Sequence, residues 1–212
     1  MKFSIEELRP IRNGMTISRD SKLGNSTKVT YFSMGKDTSI SQESYDRMTM
    51  YIGASGWGEF IIGEEPEIIK LQPDELLIVP AGTLCGMQTS NGIVYTEIIC
   101  TGKDINMNAN VKTNEVFALK NLISYEEGSI ANMDVVSTPD MKYVLMAFDE
   151  GTGLTPHRAP GNAIVFALEG KATIGYEGKD YELSEGECFR FEKNGLHSVT
   201  ANGKFKMALL LV

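Results

Sequence analysis

The chain has 212 residues, with 42% apolar, 23% charged and 8% aromatic side chains, which is globular composition and length enough for one large or two small cores. Twenty Lys and Arg face 28 Asp and Glu, giving a net charge of −8 and no basic face suited to nucleic acid or anionic membrane. Apolar runs such as Leu76 to Val79 and Ala208 to Val212 fall far short of the ~20 residues that span a bilayer, and Met1 to Glu7 lacks the apolar core of a signal peptide. A cytoplasmic protein is expected. Three cysteines without CxxC spacing, Cys85, Cys100 and Cys188, agree with a reducing compartment, where the sequon Asn25-Ser26-Thr27 is a chance match.

In chain order the sequence repeats itself. Phe3 to Leu8 followed by Gly14 falls on Phe117 to Leu122 followed by Gly128, an offset of 114. Gly56-Trp57-Gly58-Glu59-Phe60 falls on Gly170 to Ile174 at the same offset. Leu71 to Glu75 then falls on Leu183 to Glu187, and Ile93 to Cys100 on Phe205 to Val212, both at 112, a slip that one hairpin loop absorbs. Residues 1–108 and 109–212 are therefore expected to form two domains of one kind.

Each copy reads as β. The stretches Lys142 to Phe148, Ala163 to Leu168, Ala172 to Tyr176, Cys188 to Phe191 and Lys204 to Val212 are short apolar or alternating runs punctuated by Gly, Asn, Asp and Glu. Tyr176 to Tyr181 predicts a hairpin turn. Helix signals are confined to the start of each copy: Ser4-Ile-Glu-Glu7 is a capping box, and Asn114 is placed to cap Glu115 to Leu122. Short strands without intervening helices argue a sandwich or barrel in each copy.

The residues resemble the cupin superfamily, whose small barrels carry two glycine- and histidine-bearing motifs. Gly151-Thr-Gly-Leu-Thr-Pro-His157 with Gly170 fits the outline of the first motif, and Gly186 to His197 fits the second. In the first copy Asp74 to Cys85 fits the second motif. The resemblance implies an all-β protein of two tandem cupin (double-stranded β-helix, jelly-roll) barrels with short N-terminal helices, as a homodimer or monomeric bicupin.

The chain's only two histidines, His157 and His197, both fall at positions where this family carries metal ligands. The other two such positions hold Ala159 and Ala163, so a three-His, one-Glu site is absent. Asn162, Cys188 and Glu192 lie nearby in sequence as third-donor candidates. Two readings follow: one divalent transition metal (Zn, Fe, Ni or Mn) on His157 and His197, or a metal-free polar pocket. Asn162 and Arg158 join the histidines as candidate ligand-binding residues, Arg158 through a bidentate contact to an anion. The first copy carries Glu43, Tyr45, Thr49 and Cys85 at the four corresponding positions and is expected to be structural or dimerising. The Met residues, among them Met48, Met50, Met87 and Met207, read as core filler or the lining of an apolar cavity, Trp57 reads as a ligand-stacking or interface residue, and no Walker loop, dinucleotide fingerprint or Gly-x-Ser-x-Gly elbow is present. The implied function is small-molecule binding, as an enzyme acting on a sugar acid or related carboxylate in the second copy or as a non-catalytic sensor or storage module.

Overall fold

The computed structural model describes residues 1–24, 27–102 and 104–212, so the sequon residues Asn25 and Ser26 lie outside the described residues. The chain is all-β and divides into two compact units. The N-terminal unit comprises Ile5–Lys103 and Ala109–Ala118; the C-terminal unit comprises Met1–Ser4, Asp104–Asn108 and Leu119–Val212.

The N-terminal unit holds two antiparallel sheets. In the six-stranded sheet Val116–Ala118, Glu75–Val79, Thr49–Gly56, Ile93–Ile99, Lys28–Met34 and Thr16–Asp20 pair in that order. The four-stranded sheet runs Thr38–Ser44, Leu84–Thr89, Gly58–Ile62 and Glu67–Leu71. Alternation places Ile93, Tyr95, Tyr51, Leu77 and Val79 on one face, where they pack with Met34, Phe60, Leu71 and Met87.

The C-terminal unit is one nine-stranded sheet organised by two long strands, Ala163–Tyr176 and Leu196–Leu211. These pair with one another over their whole length, interrupted by bulges around Leu168 and Lys171. Bulges sharpen the local twist and let each long strand serve both halves of a closed β structure. The core, with Phe148, Val165, Ile174, Phe189, Phe191, Phe205 and Met207, fills the concave side. The hairpin expected at Tyr176 to Tyr181 is present: Glu177 and Gly178 have φ of 48° and 78°, the paired positive values that a two-residue type I′ turn demands.

The sequence offsets recur in the backbone. Gly56 and Gly170 both have positive φ, and at each a Cβ would lie 2.1 Å from a backbone carbonyl, of Gly92 and Lys204 respectively. Glu75 accepts the Gln72 N–H at 2.8 Å, and its counterpart Glu187 accepts the Ser184 N–H at 2.9 Å.

One expected element is corrected. Ser4 precedes a four-residue helix, Ile5–Leu8, but Glu115 to Leu122 is not helical. Val116–Ala118 is a strand paired with Glu75–Leu77, and only Leu119–Asn121 makes a 3-10 turn. Asn114 has a left-handed φ of 57°, whereas a helix N-cap needs extended backbone, and its N–H donates to Ile78. An available sheet edge beside Val116 and Phe117, which favour strands, outweighs a weak capping signal.

Candidate functional site

His157 stands on the short strand Gly153–Arg158 and His197 at the start of the long strand Leu196–Leu211; the two are direct cross-strand partners. The strand pairing thus converts a 40-residue separation into ring contact, with centroids 4.2 Å apart and planes inclined by 53°. His197 shares the inward face of its strand with Val199 and Ala201 and is buried, with its ring stacked on Phe191 at 4.2 Å. His157 is exposed at the rim.

Both rings are oriented the same way. The Nδ1 of His157 lies 2.8 Å from the Thr155 carbonyl, and the Nδ1 of His197 lies 3.0 Å from the Gly195 carbonyl. A carbonyl only accepts, so each Nδ1 carries the hydrogen and each neutral ring keeps its lone pair on Nε2. Burial is the main cause that holds the His197 pKa below its ordinary value; the neighbouring His157 pushes in the same direction, and the Gly195 carbonyl opposes both.

The remaining expected site residues serve the surrounding loops. The Arg158 guanidinium donates to the Asn194 carbonyl, and the Asn162 side-chain oxygen accepts the Lys193 N–H at 2.8 Å. Cys188 is buried opposite Phe3 and Phe166, and Glu192 is exposed and paired with Arg190 at 2.8 Å. Ala159 and Ala163 are buried. Among the described residues no group of three His, Cys, Asp or Glu side chains is arranged to hold a metal ion. Two imidazoles fall short of the three or more protein donors of ordinary mononuclear sites, so this donor set does not fit a resident metal.

A cleft of about 190 Å³ reaches His197 from beside Pro156, Gly175, Lys179, Asp180 and Ser198; His157, Arg158 and Asn162 are outside its wall. A second cavity lies where the sequence predicts only a structural half. In the N-terminal unit Glu43 and Cys85 are cross-strand partners, as His157 and His197 are in the other, and both line a cavity of about 80 Å³ with Tyr45, Tyr51, Tyr95 and Glu97. Glu97 had a readable signal, an acidic residue in register with inward-facing Ile93 and Tyr95. Trp57 packs on the surface instead, with the Lys70 ammonium 4.1 Å above its ring.

The cupin domain family model matches residues 144–212, most of the C-terminal unit. The chain is similar in structure to a cupin 2 conserved barrel domain protein from Leptotrichia buccalis, with a TM-score of 0.87 and 24% identity over 100% of this chain and 96% of that one. A salicylate 1,2-dioxygenase from Pseudoaminobacter salicylatoxidans, solved as adducts with gentisate, gives 0.69 at 11% identity over 100% and 80%. An oxalate decarboxylase from Bacillus subtilis gives 0.59 at 12% identity over 100% and 75%. At these identities the likeness establishes a cupin barrel fold. No curated protein sequence matches the chain. No helix among the described residues is long and apolar enough to cross a membrane.

Proposed function

We propose that this chain is a tandem cupin of the cytoplasm whose C-terminal barrel binds a small polar carboxylate, such as a sugar acid, at His157 and His197 without a resident metal. The reading of the N-terminal unit as a second barrel is supported by the matched offsets of Gly56 with Gly170, Glu75 with Glu187, and the Glu43–Cys85 pair with the His157–His197 pair. None of the three cysteines forms a disulfide, and two of them are buried, which suits a reducing compartment.

One observation carries the ligand class: two imidazoles in contact, each with its Nδ1–H already committed to a backbone carbonyl. When such a ring takes up a proton, the new Nε2–H has no internal partner and donates to an incoming anion, while the positive charge attracts it. Two rings 4.2 Å apart do not readily protonate together, so the pair suits a single negative charge. A carboxylate fits that stoichiometry.

The alternative reading, a divalent metal on the same two Nε2 atoms, lacks a third protein donor among the described residues. The two readings give opposite pH slopes. An anion pocket strengthens as the imidazoles gain protons, and a metal site weakens because its ligands must be neutral. Glucuronate affinity of the full chain, followed by NMR, is expected to rise several-fold between pH 7.5 and 5.5 and to be lost in His157→Ala and His197→Ala. Absence of glucuronate binding, or about one equivalent of Zn, Fe, Ni or Mn per chain in the purified protein by elemental analysis, overturns the anion reading.

A further inference from the structure

We propose that the interior of the N-terminal unit is a second, chemically opposite binding site, which takes a small organic ammonium cation against the Glu97 carboxylate within a cage of aromatic rings. The proposal is independent of the reading of the histidine pair.

The wall of the cavity carries one sign of charge. The cavity is lined by two carboxylates, Glu43 and Glu97, by the rings of Phe32, Tyr51, Phe60 and Tyr95, and by no Lys, Arg or His. The rings form one packed group: Tyr51 and Phe60 have centroids 4.7 Å apart, Phe32 and Tyr95 5.0 Å, and Phe60 meets Tyr95 edge-on at 6.2 Å. Aromatic quadrupoles and carboxylates both attract cations and repel anions, so the wall discriminates by charge.

Glu97 is the buried carboxylate of this wall. Its side chain points inward from the centre of the six-stranded sheet, opposite Tyr51, and the residue is only 5% exposed. It has no hydrogen-bond partner and no ion pair among the described residues, whereas buried carboxylates ordinarily have both. The charged and titratable groups that face it are Lys28, Glu43, Tyr45, Tyr51, Cys85 and Tyr95. Lys28 alone is positive, and it is exposed and beyond ion-pair distance. Burial pushes the Cys85 thiol up to about 11 and the Tyr45 phenol to about 12, so neither competes as an anion near pH 7. Burial likewise raises Glu97 to about 7, with Lys28 opposing. A ligand cation supplies the counter-charge that the protein withholds.

Size limits the ligand. At roughly 30 Å³ per water, 80 Å³ is room for two or three waters, or for about four or five non-hydrogen atoms. A primary or methylated ammonium head of that size fits.

The test uses three probes of four non-hydrogen atoms each, isopropylammonium, 2-propanol and acetate, titrated into the full chain with NMR detection at pH 6 and pH 8. Isopropylammonium is expected to bind, about tenfold more tightly at pH 8, where Glu97 has lost its proton, than at pH 6. Glu97→Gln is expected to lose binding at least tenfold and to lose the pH dependence while its circular dichroism stays that of the parent. Glu43→Gln, at the rim, is expected to weaken binding only a few-fold, and His157→Ala to leave it unchanged. Binding of 2-propanol as tight as that of isopropylammonium, preference for acetate, unaltered affinity in Glu97→Gln, or no binding of isopropylammonium at millimolar concentration each overturns the proposal.

Discussion

The two units place different chemistry on matching backbone. In the C-terminal unit the positions that carry Tyr95, Glu97 and Val79 in the other become Met207, Leu209 and Phe191, and Phe191 covers the inner histidine ring. The interior there is filled by phenylalanines and aliphatics, and its polar pair sits at the rim with one ring exposed. In the N-terminal unit polar residues reach further in: Glu97 lies on the central strand, surrounded by phenols, and leaves a small cavity. The difference teaches that a rim without histidines and an interior with room for a ligand go together here, while the rim that carries histidines lies over a filled interior. The unit without imidazoles has a small cavity with a negative wall, and the unit with histidines is packed beneath them.

That contrast is broken most severely by hollowing the filled interior. Phe189 is fully buried and packs against Tyr176, Tyr181 and Phe191 with centroids 5.0 to 5.6 Å away. Phe189→Ala removes a large apolar side chain and leaves a void that the surrounding sheet cannot close, at a cost of about 3–5 kcal/mol. Urea denaturation followed by circular dichroism measures it. A loss below about 1 kcal/mol indicates that the interior of this unit is as accommodating as that of its counterpart.

The opposite change fills the polar interior. Glu97→Leu gives the N-terminal unit the residue found at the matching position, Leu209. Glu97 has a folded pKa of about 7 against an ordinary 4.5, so between these values the folded chain binds more protons than the unfolded chain. Its contribution is therefore fully favourable below pH 4.5 and is lost as pH rises through 7. The loss amounts to about 3 kcal/mol by pH 8, at ~1.4 kcal/mol per unit. Glu97→Leu is expected to exceed the parent in stability at pH 8 by up to about that amount, and to lie much closer to it at pH 5. The sole tryptophan, Trp57, belongs to this unit and reports its unfolding by fluorescence. A stability difference that is the same at both pH values shows that Glu97 is already paired or solvated.

Much of this was legible in the residues, for reasons that can be named. The repeat was readable because its most regular positions carry backbone demands: Gly56 and Gly170 turn a strand where no Cβ fits, and Glu75 and Glu187 tie the same tight turn. The histidines could be paired because the strands of a barrel fix register, so two sequence positions became one contact. The strand at Val116 to Ala118 was masked by Asn114, whose side chain serves a cap or a left-handed turn equally well, and only the neighbouring sheet edge decides between them. The roles of Arg158 and Asn162 depend on loop hydrogen bonds to Asn194 and Lys193, which leave no pattern in sequence. In sequence Glu97 shows only as an acidic residue in register with Ile93 and Tyr95. Its cost becomes visible only when Tyr51, Tyr95 and Cys85 are brought around it.

The mildest change probes what the two units share. At Gly56, φ is 68° and a Cβ would lie 2.1 Å from the Gly92 carbonyl; at Gly170 the values are 75° and 2.1 Å, from the Lys204 carbonyl. Both conflicts are with backbone, so no side chain can swing aside. Relief requires the neighbouring strand to move at the point where the sheet turns its corner. Gly56→Ala and Gly170→Ala are each expected to cost about 1–3 kcal/mol, the ordinary range for strained backbone, and to cost similar amounts because the geometry is the same. Trp57, next to the first glycine, reports Gly56→Ala directly by fluorescence, and circular dichroism follows both variants. If one alanine is tolerated and the other is not, the corner is a structural necessity in one unit only, and the correspondence between the units extends to their sequence pattern but not to the strain their backbones bear.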